Sequence, residues 1–156
     1  LRPAQLATEG GEVLRTIGWL SRTPEPFREA ILSQAIWRLA SPDTEFIHLG
    51  DETGGLVGVA RGLVEISFLN HPDTRLITLV HAGYWGGYRP LIGRPRYASL
   101  AARTDVLWAV VPQRHVERLL AENPGWWEHI VRLADDFFTA SAEALVDLTR
   151  QKSQYR

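Results

Sequence analysis

A chain of 156 residues with 45% apolar content and a formal net charge of −1 can bury a core, and it is too neutral to hold nucleic acid by bulk charge. It has no cysteine, which excludes disulfides, thiolate catalysis and cysteine-ligated iron–sulfur clusters and fits a reducing, cytoplasmic setting. No apolar run approaches the roughly 20 residues that cross a bilayer, and Leu1 to Gly11 lacks the apolar core of a signal peptide, so no membrane partner is expected.

The first helical signal is Ile17 to Leu20, with Ser21 to Thr23 as a cap. Pro24-Glu25-Pro26 opens a second helix, with Phe27, Ala30, Ile31 and Ala35 at helical spacing. Helices are therefore expected over 17–40, up to the turn Ser41-Pro42-Asp43. From Glu45 the pattern changes to short β-branched and apolar runs: 46–49, 56–61, 63–69, 75–80, 97–102 and 106–111. Asn70-His71-Pro72-Asp73 reads as a hairpin connection. Many short strands at this spacing predict a sandwich or barrel over 45–111.

After Pro112 the chain reads as helical again, over 113–150. Gln113 to Glu122 forms one short helix, broken by Asn123-Pro124, and a long helix runs from Trp126 towards Arg150. Ile130, Ala134, Phe137, Ser141, Ala144 and Leu148 recur in steps of four and three, a heptad-like seam. Val131, Phe138 and Leu145 form a second stripe beside it. A stripe this broad suits two neighbours, the barrel and a partner helix, and so predicts a homodimer; both stripes packing within one chain is the alternative. The whole chain, 1–156, reads as a single α+β domain.

The segment Gly83-Tyr84-Trp85-Gly86-Gly87-Tyr88-Arg89-Pro90-Leu91-Ile92-Gly93-Arg94-Pro95-Arg96-Tyr97-Ala98-Ser99-Leu100 carries the candidate chemistry. Glycines at 86 and 87 let the backbone approach a ligand. Taken alone, Arg96 is a solvated arginine in a Pro-Arg turn. Arg89 adds a second cation that favours an anionic ligand. The histidines, His48, His71, His81, His115 and His129, show no metal-ligand spacing, Ser99 has no partner to activate it, and no Walker loop is present.

Two motifs together resemble the cyclic-nucleotide-binding sensory domain of the Crp/Fnr regulators. The first is Gly50-Asp51 followed by Leu56, Val57, Val59 and Gly62; the second is the glycine-rich segment, which is similar to that family's phosphate-binding cassette. Trp85-Gly86 stands at the aromatic–glycine step, Pro90 to Ile92 at the short helix, Gly93 to Arg96 at the turn and arginine, and Ala98-Ser99 at the small pair. Gly58 replaces a commonly aromatic position, which predicts a wider pocket or sheet edge. The resemblance implies a small antiparallel β jelly roll or barrel with N-terminal helices and a long C-terminal dimerisation helix. It implies ligand contacts from Gly86, Gly87, Tyr88, Arg89, Arg96 and Ser99 to a cyclic nucleotide, cAMP or cGMP, or another small anion.

One departure is independent of register. The cassette's glutamate falls on Gly87 in an ungapped reading and on Tyr88 if Gly83 and Gly87 are aligned with the family's two glycines; no Asp or Glu occurs from Leu76 to Thr104. Losing a charge-assisted bond to the ribose hydroxyl costs roughly 1.5–3 kcal/mol, or about one to two decades in affinity. Three readings remain: an effector-sensing regulatory domain, a ligand-free dimerisation scaffold, or the regulatory domain of another protein such as a kinase or channel. An enzyme has no supporting constellation. In the resembled family DNA is read by a helix-turn-helix after the long helix, and the residues up to Arg156 leave no room for one.

Overall fold

The computed structural model describes residues 2–51, 54–68 and 76–154. Eight strands in these segments form two antiparallel four-stranded sheets. They are β1 (Ile36–Ala40), β2 (Glu45–Ile47), β3 (Gly55–Arg61), β4 (Val64–Phe68), β5 (Ile77–Val80), β6 (Trp85–Gly86), β7 (Ala98–Ala102) and β8 (Val106–Pro112). One sheet has the order β1-β8-β3-β6 and the other β2-β7-β4-β5. Four α-helices accompany them: α1 (Pro3–Thr16), α2 (Glu25–Ser33), α3 (Gln113–Glu122) and α4 (Trp127–Gln154). This is the expected jelly roll with helices at both ends.

Alternation along the strands builds two cores. Val57 and Val59 on β3, with Val106 and Trp108 on β8, face the interior between the sheets, where they meet Val64, Ile66, Leu100 and Ala102. Leu56, Ala60, Leu107 and Val111 point to the other face of the same sheet, into a helical layer with Leu14, Phe27, Ile31 and Leu120. The β3–β8 pair is thus covered on both sides, which is why its sequence is almost uninterruptedly apolar. The second sheet turns Glu65 and Ser67 outward, leaving a one-sided strand pattern.

The N-terminal region differs from the expectation in two places. A helix spans Pro3–Thr16, ahead of the Ile17 signal, and Ile17 itself is extended (φ −134°). Gly10 and Gly11 argue locally against that helix. Tertiary packing overrides them: Leu6, Gly10 and Leu14 share one buried stripe, and a Cβ on Gly10 would lie 2.0 Å from Trp37 Cζ3. Residues 36–40, expected to be helical, are strand β1, paired with β8 from Ile36↔Val110 to Ala40↔Val106. Helix α2 stops at Ser33, before Ala35, and pairing with a strand about 70 residues away makes the next segment extended. The Asn70–Asp73 connection lies outside the described residues.

On α4, Ile130 and Leu133 are buried, so the seam docks at its start. Beyond Phe137 the helix leaves the barrel; Phe138 and Leu145 are 69 and 65% exposed, as is Val131 (63%) on the same stripe. The free part, about 17 residues, extends about 25 Å.

Filling the Gly10 notch should be costly. We expect Gly10→Leu to displace the Trp37 ring and lower unfolding free energy by about 1–3 kcal/mol, measured by urea denaturation. A variant as stable as the parent would show that Trp37 swings clear.

Candidate functional site

One continuous segment builds the site. β6 ends at Gly86, Gly87 (φ +88°) turns the chain, a 3₁₀ turn covers Arg89–Ile92, Gly93 (φ +73°) ends it, and β7 begins at Ala98. Two backbone bonds anchor this segment, and a third fixes Gly54 beside it. Gly50 N–H donates to Arg96 O (3.0 Å), Arg96 N–H donates to Asp51 O (2.9 Å), and Gln113 N–H, at the start of α3, donates to Gly54 O (2.7 Å). The Gln113 side chain also reaches back, donating from Nε2 to Pro90 O at 3.1 Å. The first residue of α3 therefore ties the 3₁₀ turn to the strand carrying Gly54 and Gly55.

Arg96 is buried (7% exposed), and its Nη2 donates to Gly55 O at 2.9 Å. Two glycines make room for it. A Cβ on Gly54 (φ +128°) would lie 2.0 Å from Nη2; one on Gly87 would lie 2.8 Å from Nη1 and 2.4 Å from Gly55 O. Burial pulls the Arg96 pKa below its ordinary value, while the Asp51 carboxylate and Tyr84 pull it back up. The group stays a guanidinium at any ordinary pH, because arginine starts so far above neutrality. Burial pushes the Tyr84 hydroxyl up to about 12, with Arg96 opposing. Its oxygen lies over Gly86, 2.4 Å from where a Cβ there would stand. Arg89 is fixed differently: Nε donates to Pro95 O (3.1 Å), and the guanidinium carbon sits 4.9 Å from the centre of the Tyr97 ring.

These groups surround a cavity of about 210 Å³. The cassette supplies Tyr84, Gly86, Gly87, Tyr88, Arg89, Arg96 and Tyr97. Ile47, Phe68 and Leu100 form the barrel side, and Leu133 and Phe137 of α4 close it. Phe68 and Phe137 stand 5.7 Å apart, ring centre to ring centre. Among the described lining residues two are cations and none carries a carboxylate.

Five of the six expected residues, Gly86, Gly87, Tyr88, Arg89 and Arg96, meet at this cavity. Ser99 is placed elsewhere: its Oγ accepts from Leu49 N–H at 2.9 Å, and strand alternation turns it away from Ala98 and Leu100, which line the cavity. Gly58 does not widen the pocket, because a Cβ there would lie 2.7 Å from the Trp85 indole, which fills the space. Sequence reasoning missed the Gly55 carbonyl, Tyr84, Phe68, Leu133 and Phe137. Only the i, i+4 spacing of Leu133 and Phe137 was a readable signal; the rest converge from separate strands. Among the described residues no group of His, Asp and Glu could hold a metal, and no helix is long and apolar enough to cross a membrane.

Residues 37–123 match the family model of the cyclic nucleotide-binding domain. The fold is similar to the Thermus thermophilus catabolite activator protein (20% identity, TM-score 0.68), over 85% of this chain and 63% of that one. It is similar to the N-terminal domain of a transcriptional regulator from Streptomyces coelicolor A3(2) (19%, TM-score 0.62), over 85% of this chain and 94% of that one. It is also similar to the regulatory domain of Toxoplasma gondii PKA with cAMP (13%, TM-score 0.65), over 90% and 51%. The chain thus spans less than two-thirds of the Thermus protein. A comparison with curated proteins finds no match.

Two outcomes test the geometry. Gly87→Glu should not recreate the missing carboxylate function; it should destabilise by about 1–3 kcal/mol through its positive φ and the Gly55–Arg96 crowding, with no gain in cAMP affinity by calorimetry. The Tyr84 phenol should titrate near pH 12, seen as a late phase in tyrosinate absorbance that Tyr84→Phe removes. An unfolded tyrosine ionises near 10, so this raised pKa contributes stability below about pH 10 that is lost as pH rises to about 12.

Proposed function

The chain belongs to the cyclic nucleotide-binding domain family, and from that premise we propose that it is an effector-sensing regulatory domain, not an enzyme, whose cavity takes a small anion. The observation that carries this is the pair of guanidinium groups, Arg89 and Arg96, in the wall of a cavity with no lining carboxylate among the described residues. A buried anion needs pairing with a cation or several donors. Arg96 supplies a fixed charge, while the space beside Gly86 and Gly87 is taken by the Tyr84 hydroxyl, the Gly55 carbonyl and the Arg96 guanidinium. Ligand would press on Leu133 and Phe137, changing how α4 leaves the barrel.

The exposed stripe of α4 supports a homodimer as the output. Val131, Phe138 and Leu145 recur every seven residues, as a helix–helix seam requires. The similarity to the catabolite activator protein and to the Streptomyces regulator favours transcription as the context, with DNA read by a separate domain, and a cytoplasmic location. A ligand-free scaffold is the second reading, favoured by the Arg96 bond to Gly55 O and the closed space at Gly87.

Calorimetric titration with a panel of cAMP, cGMP, a cyclic dinucleotide and simple organic acids tests the main reading. Saturable binding of at least one anion, weakened about ten- to hundred-fold by Arg96→Ala, is expected; silence across the panel favours the scaffold. For the dimer, sedimentation should give twice the chain mass, and Phe138→Glu with Leu145→Glu should return it to one. A monomer at all concentrations, with and without ligand, removes the seam from the mechanism.

A further inference from the structure

We infer that Trp19 is the positioning residue that carries the state of the cassette strand β6 to the first turns of α4, by a route separate from the cavity-closing side chains Leu133 and Phe137. Its purpose rests on the effector-sensing reading above; the contacts themselves need no ligand.

Trp19 stands between three elements. It follows Gly18 (φ +86°), where the chain presses on the loop before β6: a Cβ on Gly18 would lie 1.9 Å from Gly83 O. From there the indole enters the helical core, where it is buried. It meets Trp85 of β6 edge-on, 5.8 Å between ring centres, and Phe27 of α2 edge-on at 5.7 Å. Its Nε1 donates to His129 O, in the first turn of α4, at 2.8 Å. One side chain therefore touches the cassette, α2 and α4.

On the cassette side, Trp85 lines the cavity and packs into the same core. Its own Nε1 is buried with no hydrogen-bond partner. Packing alone sets the position of that ring: it stands over Gly58, where a Cβ would lie 2.7 Å away, and against Trp19. In an interior this dense, a displaced ring displaces its neighbours. A shift of β6 is thus felt at Trp19.

On the helix side, three contacts tie the first turns of α4 to residues 19–27. They are the Trp19 bond, the His129 ring 4.6 Å from the Phe27 ring, and the Arg22–Asp136 ion pair at 2.7 Å. The ion pair is 64 and 49% exposed and counts for little. Of the three, the indole bond alone grips a main-chain atom of the helix. A buried N–H that loses its acceptor is costly, so indole and helix move together. His129 lies one turn before Leu133 and two before Phe137. The start of α4 is therefore held at two places, by Trp19 and by the cavity wall.

Hydrogen exchange followed by mass spectrometry on the full chain tests this. Trp19→Phe keeps an aromatic ring and removes the N–H. Exchange across residues 127–137 should quicken about three- to ten-fold, while β3 and β8 keep their rates. Trp85→Phe should quicken the same α4 residues by a similar factor, and by less than about two-fold in the Trp19→Phe background. Phe137→Ala, on the separate route, should add its full effect to that of Trp19→Phe. If Trp85→Phe does not fold, Gly83→Ala is the cassette-side perturbation, since its Cβ would press on Ile17 Cγ1 at 3.2 Å. Unchanged α4 rates in Trp19→Phe would overturn the inference. So would a uniform rise that includes β3 and β8, which marks a residue that only stabilises the fold. A cassette-side effect on α4 that is absent from the parent, or undiminished in the Trp19→Phe background, would overturn it too. A Phe137→Ala effect that vanishes in that background would merge the two routes and overturn their separation. No ligand is added, so a silent calorimetric panel removes effector sensing without touching these outcomes.

Discussion

The site depends on one buried cation and the backbone that encloses it. Arg96 lies between Gly54 and Gly87 and donates to the carbonyl of Gly55. Burying a guanidinium is unfavourable unless its donors are satisfied. The surrounding backbone is arranged accordingly: Gly54 is fixed by Gln113, the Arg96 backbone is paired with Gly50 and Asp51, and Gly87 takes a conformation open to glycine. Fixing this one charge therefore fixes the relative positions of the cassette, the start of β3 and the start of α3.

That arrangement links the cavity to the helices. Gln113 bonds both Gly54 and Pro90, so a shift of the 3₁₀ turn is felt at the first residue of α3. Leu133 and Phe137 close the cavity from α4, and beyond them the helix has no intramolecular cover among the described residues. Among the described residues, the outgoing helix meets the cavity at Leu133 and Phe137, with Phe68 opposite Phe137. The rest of the jelly roll is a rigid frame, because the β3–β8 pair is packed on both faces.

Where a carboxylate is missing, the space is filled by an arginine and a carbonyl, and a protonated phenol crosses the neighbouring glycine. The cavity beside it is lined by aromatic rings and by Arg89 and Arg96. Ligand preference in this fold is set by a few side chains that the frame does not dictate.

Local sequence determined the features governed by short-range chemistry. Short apolar and β-branched runs gave the strands at 56–61 and 106–111, proline and glycine gave the turns, and the resemblance of the glycine-rich segment to the family's cassette gave five residues that share the cavity. It could not give β1, whose partner strand lies about 70 residues away, or α1, whose glycines read as helix breakers until Trp37 packs on Gly10. Nor could it show that Ser99 turns outward to Leu49, that Gly55 supplies the acceptor for Arg96, or that Phe68 and Phe137 meet across the cavity. These depend on long-range pairing and strand facing, which only the folded chain decides.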